Sequence, residues 1–543
     1  MSPRAGMDPR ARQGSAGPPQ AVRARGAGER SEAEGARRPR SGRGALLAAL
    51  LCVSGGGCRP ALPAGDPVRP DIVLVSIDSV RADHLGAWGY RDATGRDTSP
   101  FLDRLAAGGT RFEDARSASP WTLPSHWTML TGRWPWDHGV VEDSRTLPDG
   151  AAVLPQALAD AGYATAAFTS TVYVSRAFGF QRGFQRFEDY GISTADNLDH
   201  PVRADRQVDD ALEWARATAA GRPAFLFLHL YDAHYPYACP SPWDTRFDRA
   251  GREEEARYRT YAHYKAHPLG PARLAHQVAQ YDECIAWTDS QLERLHARWT
   301  ESGRRAVFVV TADHGEELGE RGSWGHAHTL APEQLHVPLI LAGDGITAGA
   351  VRAERAGTVD LAATIAGIAG VRFATHGVDL RGAVPPRPFG GETARFDSAR
   401  LSWEDGPWRL DVDVAHGGVT LHDHASDPGE RVDLSAREPA RVEAMRTAMQ
   451  RAVDPGTWTL EAGARATFAG PVAAWGADGV LLARPDARSL DAEQASPFGL
   501  WPPDLTVEVA PSGALRRVGV EAGAPVVLDA ELRQGLEALG YVQ

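Results

Sequence analysis

The sequence predicts an α/β fold built on a parallel sheet, and three observations predict it. From Pro70 onward, short β-branched or apolar runs alternate with helical patterns, as they do in βαβ units. The four clearest runs are Ile72–Ile77, Ala224–His229, Ala306–Thr311 and Val337–Leu341, continuous in apolar character like strands buried on both faces. Asp78 follows the first of these runs and Asp313-His314-Gly315 follows the third. In an open α/β sheet the ligand crevice lies at the carboxyl ends of the strands, so two distant segments bring carboxylates to one place.

Taken in order, residues 1–69 lack any apolar period and read as a disordered basic leader, an export segment and a linker. Residues 1–44 hold ten Arg against four acids, a charge of +6, so the remainder of the chain carries −18 of the total −12. An acidic body argues against a nucleic-acid partner. Gly44-Ala-Leu-Leu-Ala-Ala-Leu-Leu-Cys-Val53 then supplies the apolar core of an export signal, too short for a permanent bilayer crossing. Ser54-Gly-Gly-Gly-Cys58 resembles a bacterial lipoprotein cleavage site, although Gly55 stands where Leu is usual. The expectation is an exported periplasmic or cell-envelope lipoprotein that meets the membrane only through a lipid on Cys58. Cys239 and Cys284 remain in the body as either a disulfide or two buried thiols, and spacing does not decide between them.

With 543 residues, 43% hydrophobic and 24% charged, the rest suits one large catalytic domain with smaller additions. Tyr281, Ile285, Thr288, Leu292, Leu295 and Trp299 recur three and four apart and stop at Gly303, which predicts a helix with a core-facing stripe. Beyond about Val384, Trp408–Val414 and Gly418–Asp423 read as a hairpin, Ser426-Asp-Pro-Gly429 as a turn, and Pro439–Val453 as a helix. Residues 455–528 alternate short apolar runs with Gly, Pro and Asp, a β-rich extension closed by a helix at Asp529–Leu539.

Four segments carry the chemistry: Asp78 in SIDSVRADHLG, Thr122 in SPWTLPSHWTMLTG, Asp232 and His234 in FLHLYDAHYPY, and Asp313 to His328 in TADHGEELGERGSWGHAH. Carboxylate oxygen and imidazole nitrogen hold divalent cations, and Asp78, Asp313 and His314 supply such a set. Thr122 precedes Pro124 and the helical stretch Ser125–Leu130, which places its hydroxyl at a helix start, where free amides and the dipole favour an anion. Alone it would be an ordinary N-cap. Beside a metal it becomes a credible nucleophile. His229, His234, His326 and His328 are further candidates to stabilise charge, protonate a leaving group or hold a second metal.

These segments resemble the sulfatase family of the alkaline-phosphatase superfamily. The supporting stretches are PDIVLVSIDSVRADHLGAWGY, TSPFLDRLAAGGTRFEDA, PWTLPSHWTMLTGRWPWDHGV, TADHGEELGERGSWGH, VPLILAGDGI with VDLAATIAGIAGV, LHDHASDPGERVDL, and the closing LRQGLEALGYV. The resemblance implies an alkaline-phosphatase-like, mixed, largely parallel central sheet flanked by helices, with a small C-terminal α+β subdomain. The expected domains are 70–384, catalytic; 385–454, the subdomain; and 455–543, the extension.

True sulfatases carry Cys or Ser in C/S-x-P-x-R, whereas this chain has Thr122-Leu-Pro-Ser-His126, which cannot yield the formylglycine aldehyde and lacks the Arg. Thr169-Ser170 stand where a Lys and a His usually hold sulfate, and Ser79 stands where a second Asp is usual. These departures look like the phosphoglycerol and phosphoethanolamine transferases and the phosphodiesterases of the superfamily. That branch implies one metal held by Asp78, Thr122, Asp313 and His314, with His234 and His326 facing an anionic ester substrate. His314 tilts the ion toward zinc or manganese, with calcium as the alternative and a second metal left open. Phosphoester chemistry through Thr122 leads. Direct attack of Thr122 on a sulfate ester, and an inactive glycan-binding protein on the same fold, are the competing readings.

Overall fold

The computed structural model describes residues 69–453, apart from 144, 191–201, 219–220, 238, 250–266, 268, 396–397 and 414–417, then Val526 and the backbone of six strands between 458 and 517. The leader, the export segment, Cys58 and the helix expected at Asp529–Leu539 lie outside the described residues.

Asp71–Ile77 (β1) is buried along its whole length, as its apolar run requires. Seven more strands join it: Thr110–Phe112 (β2), Ala164–Phe168 (β3), Arg186–Glu188 (β4), Ala224–Leu230 (β5), Ala306–Ala312 (β6), Leu339–Gly343 (β7) and Ala350–Arg352 (β8). Their order across the sheet is β8-β2-β7-β6-β1-β5-β3-β4. β1 lies parallel between β5 and β6, with Ser76 opposite His229 on one side and Thr311 on the other. The three strands therefore finish at the same level, and whatever follows them meets in space.

The sheet is parallel except at β7, which runs antiparallel to both β6 and β2. The sequence gives no sign of this reversal, because Val337–Leu341 is as apolar as the other central runs. Its cause lies in the connection. A parallel partner needs a crossover, usually a helix. The chain between β6 and β7 forms only a two-stranded hairpin, Glu317–Leu318 with Trp324–Gly325, and the single turn Pro332–Leu335. It stays at the carboxyl end of the sheet and returns beside the strand it left.

Helices cover the sheet: Pro100–Gly108 (α1), Thr122–Thr131 (α2), Ala204–Ala217 (α3), Pro271–Glu301 (α4) and Leu361–Ala369 (α5). The stripe from Tyr281 to Trp299 is buried on α4. Burying each such large side chain contributes about 1.5–3 kcal/mol. α4 also fastens the strand ends, since Trp299 Nε1 donates to Asp71 Oδ2 at 3.0 Å and Tyr281 Oη to Ser79 O at 2.7 Å. Cys239 and Cys284 are joined by a disulfide, with Cα atoms 5.0 Å apart, which tethers the loop after β5 to α4.

Phe389–Arg395 (β9), Ser398–Asp405 (β10), Trp408–Asp413 (β11) and Gly418–Asp423 (β12) form an antiparallel meander. Pro439–Ala452 (α6) packs on it through Met445 and Met449, in a cluster with Leu401, Trp403, Leu410, Leu421 and Trp136. The strands between 458 and 517 form a separate antiparallel six-stranded sheet. Among the described residues no helix is long and apolar enough to cross a membrane.

Candidate functional site

Asp78 follows β1, Asp313 and His314 follow β6, and His229 is the next-to-last residue of β5, all fully buried. The chain turns sharply after Asp78: Ser79 has φ 62°, a left-handed conformation that a serine adopts only under constraint. The constraint is visible. Ser79 N donates to Asp313 Oδ1 at 3.1 Å, its hydroxyl donates to Asp78 Oδ1 at 2.7 Å, and its carbonyl accepts from Tyr281. Thr122 opens α2 as its first residue, after an extended Trp121, so its hydroxyl lies beside the free amides of a helix start.

Thr122 Oγ1 stands 3.3 Å from His314 Nε2, which is 3.7 Å from Asp78 Oδ1 and 3.4 Å from Asp313 Oδ2. His314 Nδ1 is 2.8 Å from Gly315 O; a proton there, donated to the carbonyl, leaves the Nε2 lone pair facing the carboxylates and the hydroxyl. Ligand atoms of Asp78, Asp313 and His314 lie within 4.8 Å of one another. Asp313 Oδ2 is buried and accepts no hydrogen bond, an arrangement that costs free energy unless a cation takes its place as partner. Burial would raise Asp78, but His234 and the hydrogen bond from His229 outweigh it and hold this carboxyl well below its usual range. Asp313 moves the other way, well upward, through burial and then the neighbouring Asp78 charge. Two carboxyls so placed do not both ionise without a cation between them. The donor set of two carboxylates, a neutral imidazole and a hydroxyl fits a divalent ion.

The histidines divide. His229 Nε2 is 3.1 Å from Asp78 Oδ2. His326 lies with its ring 4.3 Å from that of His314, and the His234 ring is 5.0 Å from His326. Burial holds His326 down at about 4 and lowers His234 as well, so both rings are neutral near pH 7. His328 turns elsewhere, with Nε2 2.9 Å from Glu317 Oε2 and 3.2 Å from Gln334. Asp232 also faces away: its oxygens accept from Ala204 N at 3.0 Å and Trp287 Nε1 at 2.7 Å. It caps the start of α3, which is why a carboxylate beside His234 in sequence is not beside it in function.

Three side chains at the site have no role assigned from sequence. Glu316 is buried, its Oε1 lies 3.0 Å from His326 Nδ1, and burial pushes its carboxyl up to about 8. His126, one turn after Thr122, has Nδ1 2.8 Å from Thr122 O and 3.7 Å from Asp313 Oδ2. Its position four residues after Thr122 on one helix face was the available signal. Arg395, at the end of β9, lies over the Trp121 ring at 4.3 Å and donates to Tyr173 Oη and Asp143 Oδ2. No local pattern marks Arg395, because only the fold brings β9 to Trp121. The same strand places Glu392 N on Ala118 O and Thr393 Oγ1 on Ala327 O, at 3.0 and 2.8 Å.

The sulfatase family model matches residues 70–371. The chain is similar to the low-salt glycan biosynthesis sulfotransferase of Haloferax volcanii, 27% identical over 54% of this chain and 66% of that protein, just under two thirds of its length. It is similar to human N-acetylgalactosamine-6-sulfatase, 25% identical over 68% of this chain and 83% of the relative. Among solved structures, the phosphonate monoester hydrolase of Silicibacter pomeroyi superposes with a TM-score of 0.58 at 22% identity, covering 70% of this chain and 95% of that one.

Proposed function

The chain belongs to the sulfatase family, and from that premise we propose that it is an exported, metal-dependent ester hydrolase or transferase that uses Thr122 as nucleophile, with phosphoesters as its preferred substrates. The observation that carries this reading is the Thr122 hydroxyl 3.3 Å from His314 Nε2, at a helix start and facing two buried carboxyls. Residues 70–384 form the catalytic domain, 385–454 the subdomain and 455–543 the extension. The leader supplies export, and Cys58 an envelope lipid anchor.

Asp78, Thr122, Asp313 and His314 hold the ion, for which imidazole favours zinc or manganese over calcium. When bound, the ion lowers the pKa of the Thr122 hydroxyl and neutralises charge on the ester oxygens. Thr122 Oγ1 forms a bond to phosphorus in line with the departing oxygen, and that P–O bond breaks. His234 and His326 face the departing oxygen as neutral rings that donate N–H hydrogen bonds to it, and the proton that Thr122 loses ends on that oxygen; Glu316, beside His326 Nδ1, keeps that ring turned to the task. Water or an acceptor alcohol then cleaves the bond between Oγ1 and phosphorus, and Thr122 is restored.

The names of the relatives above favour a second reading, in which the same hydroxyl attacks sulfur in a sulfate ester. Matched aryl sulfate, phosphate monoester and phosphodiester substrates separate the two. The expected result is phosphoester cleavage that Thr122→Ala abolishes, with a phosphate-sized mass increase on Thr122 in rapidly quenched protein. Turnover of the sulfate alone would overturn the substrate preference, and unchanged turnover in Thr122→Ala would overturn the nucleophile.

A further inference from the structure

Beneath the first residues of α2 lies a second group of metal-ligating side chains, two of which, His126 and His229, the proposed reaction does not use. His126 hangs from the inner face of α2 and reaches Ser76 on β1, with Nε2 3.0 Å from Ser76 Oγ. His229 comes from β5. The two rings meet edge to face with centroids 4.8 Å apart, and His126 is further walled by Phe180 and Phe227. One ligand atom each from His126, His229 and Asp313 lie within 4.8 Å of one another, and all three residues are fully buried.

We propose that His126, His229 and Asp313 hold a second divalent cation, joined to the first by the Asp313 carboxylate. Two atoms in this group have no hydrogen-bond partner, Asp313 Oδ2 and His229 Nδ1. Leaving such atoms buried and unsatisfied costs free energy, and both are groups that bind a cation. Asp313 Oδ2 also stands between the two sets, 3.4 Å from His314 Nε2 and 3.7 Å from His126 Nδ1.

The outer nitrogens are oriented as a metal site needs. His229 Nε2 lies 3.1 Å from Asp78 Oδ2, so a proton on Nε2 bonds the carboxylate and leaves Nδ1 with its lone pair. On His126 a proton on Nε2 bonds Ser76 Oγ, and the ion takes the place of the hydrogen bond that Nδ1, 2.8 Å from Thr122 O, otherwise makes to that carbonyl. Metal-bound histidines are held by such outer partners, a carboxylate or another acceptor on the second nitrogen. Imidazole pairs with one carboxylate select zinc or manganese over calcium or magnesium. The competing arrangement has His126 Nδ1–H donating to Thr122 O at 2.8 Å, with the histidines as purely structural braces. Two ions sharing a carboxylate would carry more positive charge beneath the nucleophile than one, which suits an alkoxide attacking an anion.

This inference rests on the reading that Asp78, Asp313 and His314 hold the first ion, and the test separates the two. The full chain is stripped with chelator, loaded with manganese(II), desalted, and its metal content and electron paramagnetic resonance recorded. The expected result is two manganese ions per chain with a spin-coupled spectrum, because a shared carboxylate keeps the ions close. His126→Gln and His229→Gln should each retain one ion per chain and show an uncoupled signal. One ion per chain in the wild type overturns the second site and leaves the first. No ion overturns both. Two uncoupled ions, or two coupled ions that survive both substitutions, overturn the assignment to His126, His229 and Asp313. If the variants fail to fold, wild-type stoichiometry and coupling decide.

Discussion

The difference between Asp232 and Asp78 shows how little a residue's type says about its work. Both follow a central strand, both are buried, and both precede a polar turn. Asp78 meets His229 and His314, whereas Asp232 accepts two N–H groups from α3 and Trp287. Replacing Asp232 by Asn keeps the volume but puts an NH2 group where one of those donors points. The expected loss is about 1–3 kcal/mol of stability, with turnover staying within about tenfold of wild type, a barrier change of no more than roughly 1.4 kcal/mol. Urea unfolding and steady-state kinetics measure the two. A collapse of turnover with stability intact would place Asp232 in the reaction and refute the assignment made from its partners. Thr122, Asp78, Asp313 and His314 were legible because the strand ends and a helix start announce themselves in sequence. Glu316 was not, because its place beside His326 follows only from the folded loop after β6, and the spacing of His126 from Thr122 gives its helix face but not the approach of Asp313 and His229 to it.

At the scale of elements, α1 owes its start to a residue far away in the chain. Its first amides, Phe101 N and Leu102 N, donate to Asp289 Oδ2 and Oδ1 at 2.9 and 2.8 Å, from the middle of α4. Ser99, the local N-cap, makes no capping bond. The stripe on α4 could be read from spacing, but this long-range cap could not, since Asp289 looks like any polar residue beside Thr288. Burial pushes the Asp289 carboxyl up to about 7 despite those two hydrogen bonds. The folded state therefore keeps a proton that the unfolded chain releases near its ordinary value of 3.8. Its contribution to stability is fully present below that value and is lost as pH rises toward about 7, at up to about 1.4 kcal/mol per pH unit. Asp289→Asn cannot release a proton, so the stability of the variant relative to wild type should improve between pH 4.5 and pH 7.5. Parallel pH dependence in chemical denaturation of the two proteins would show that Asp289 ionises freely in the fold.

The whole molecule was legible to the extent that its sheet follows from buried apolar runs and their polar ends. The reversal of β7 was not, nor the approach of Arg395 and β9 to the loops around Thr122, since both depend on how long connections travel. Nor did spacing decide the state of Cys239 and Cys284, because forty-five positions separate them and only the fold brings them together. The bond closes the segment that includes Trp243–Thr245 and the first half of α4. For a loop of that length, chain entropy assigns about 4 kcal/mol to the crosslink, an upper figure because native geometry and residual structure in the unfolded chain both reduce it. In a domain of this size that corresponds to a fall in melting temperature of about 5 °C when the bond is reduced. The Cys239→Ser, Cys284→Ser double variant should melt at the temperature of the reduced wild type and ignore further reductant. Such bonds persist outside the cytosol and are rare within it, so the same measurement bears on the compartment proposed from the basic leader. If reductant leaves the wild-type melting temperature where it was, the crosslink contributes nothing to the fold, and this independent support for export is lost.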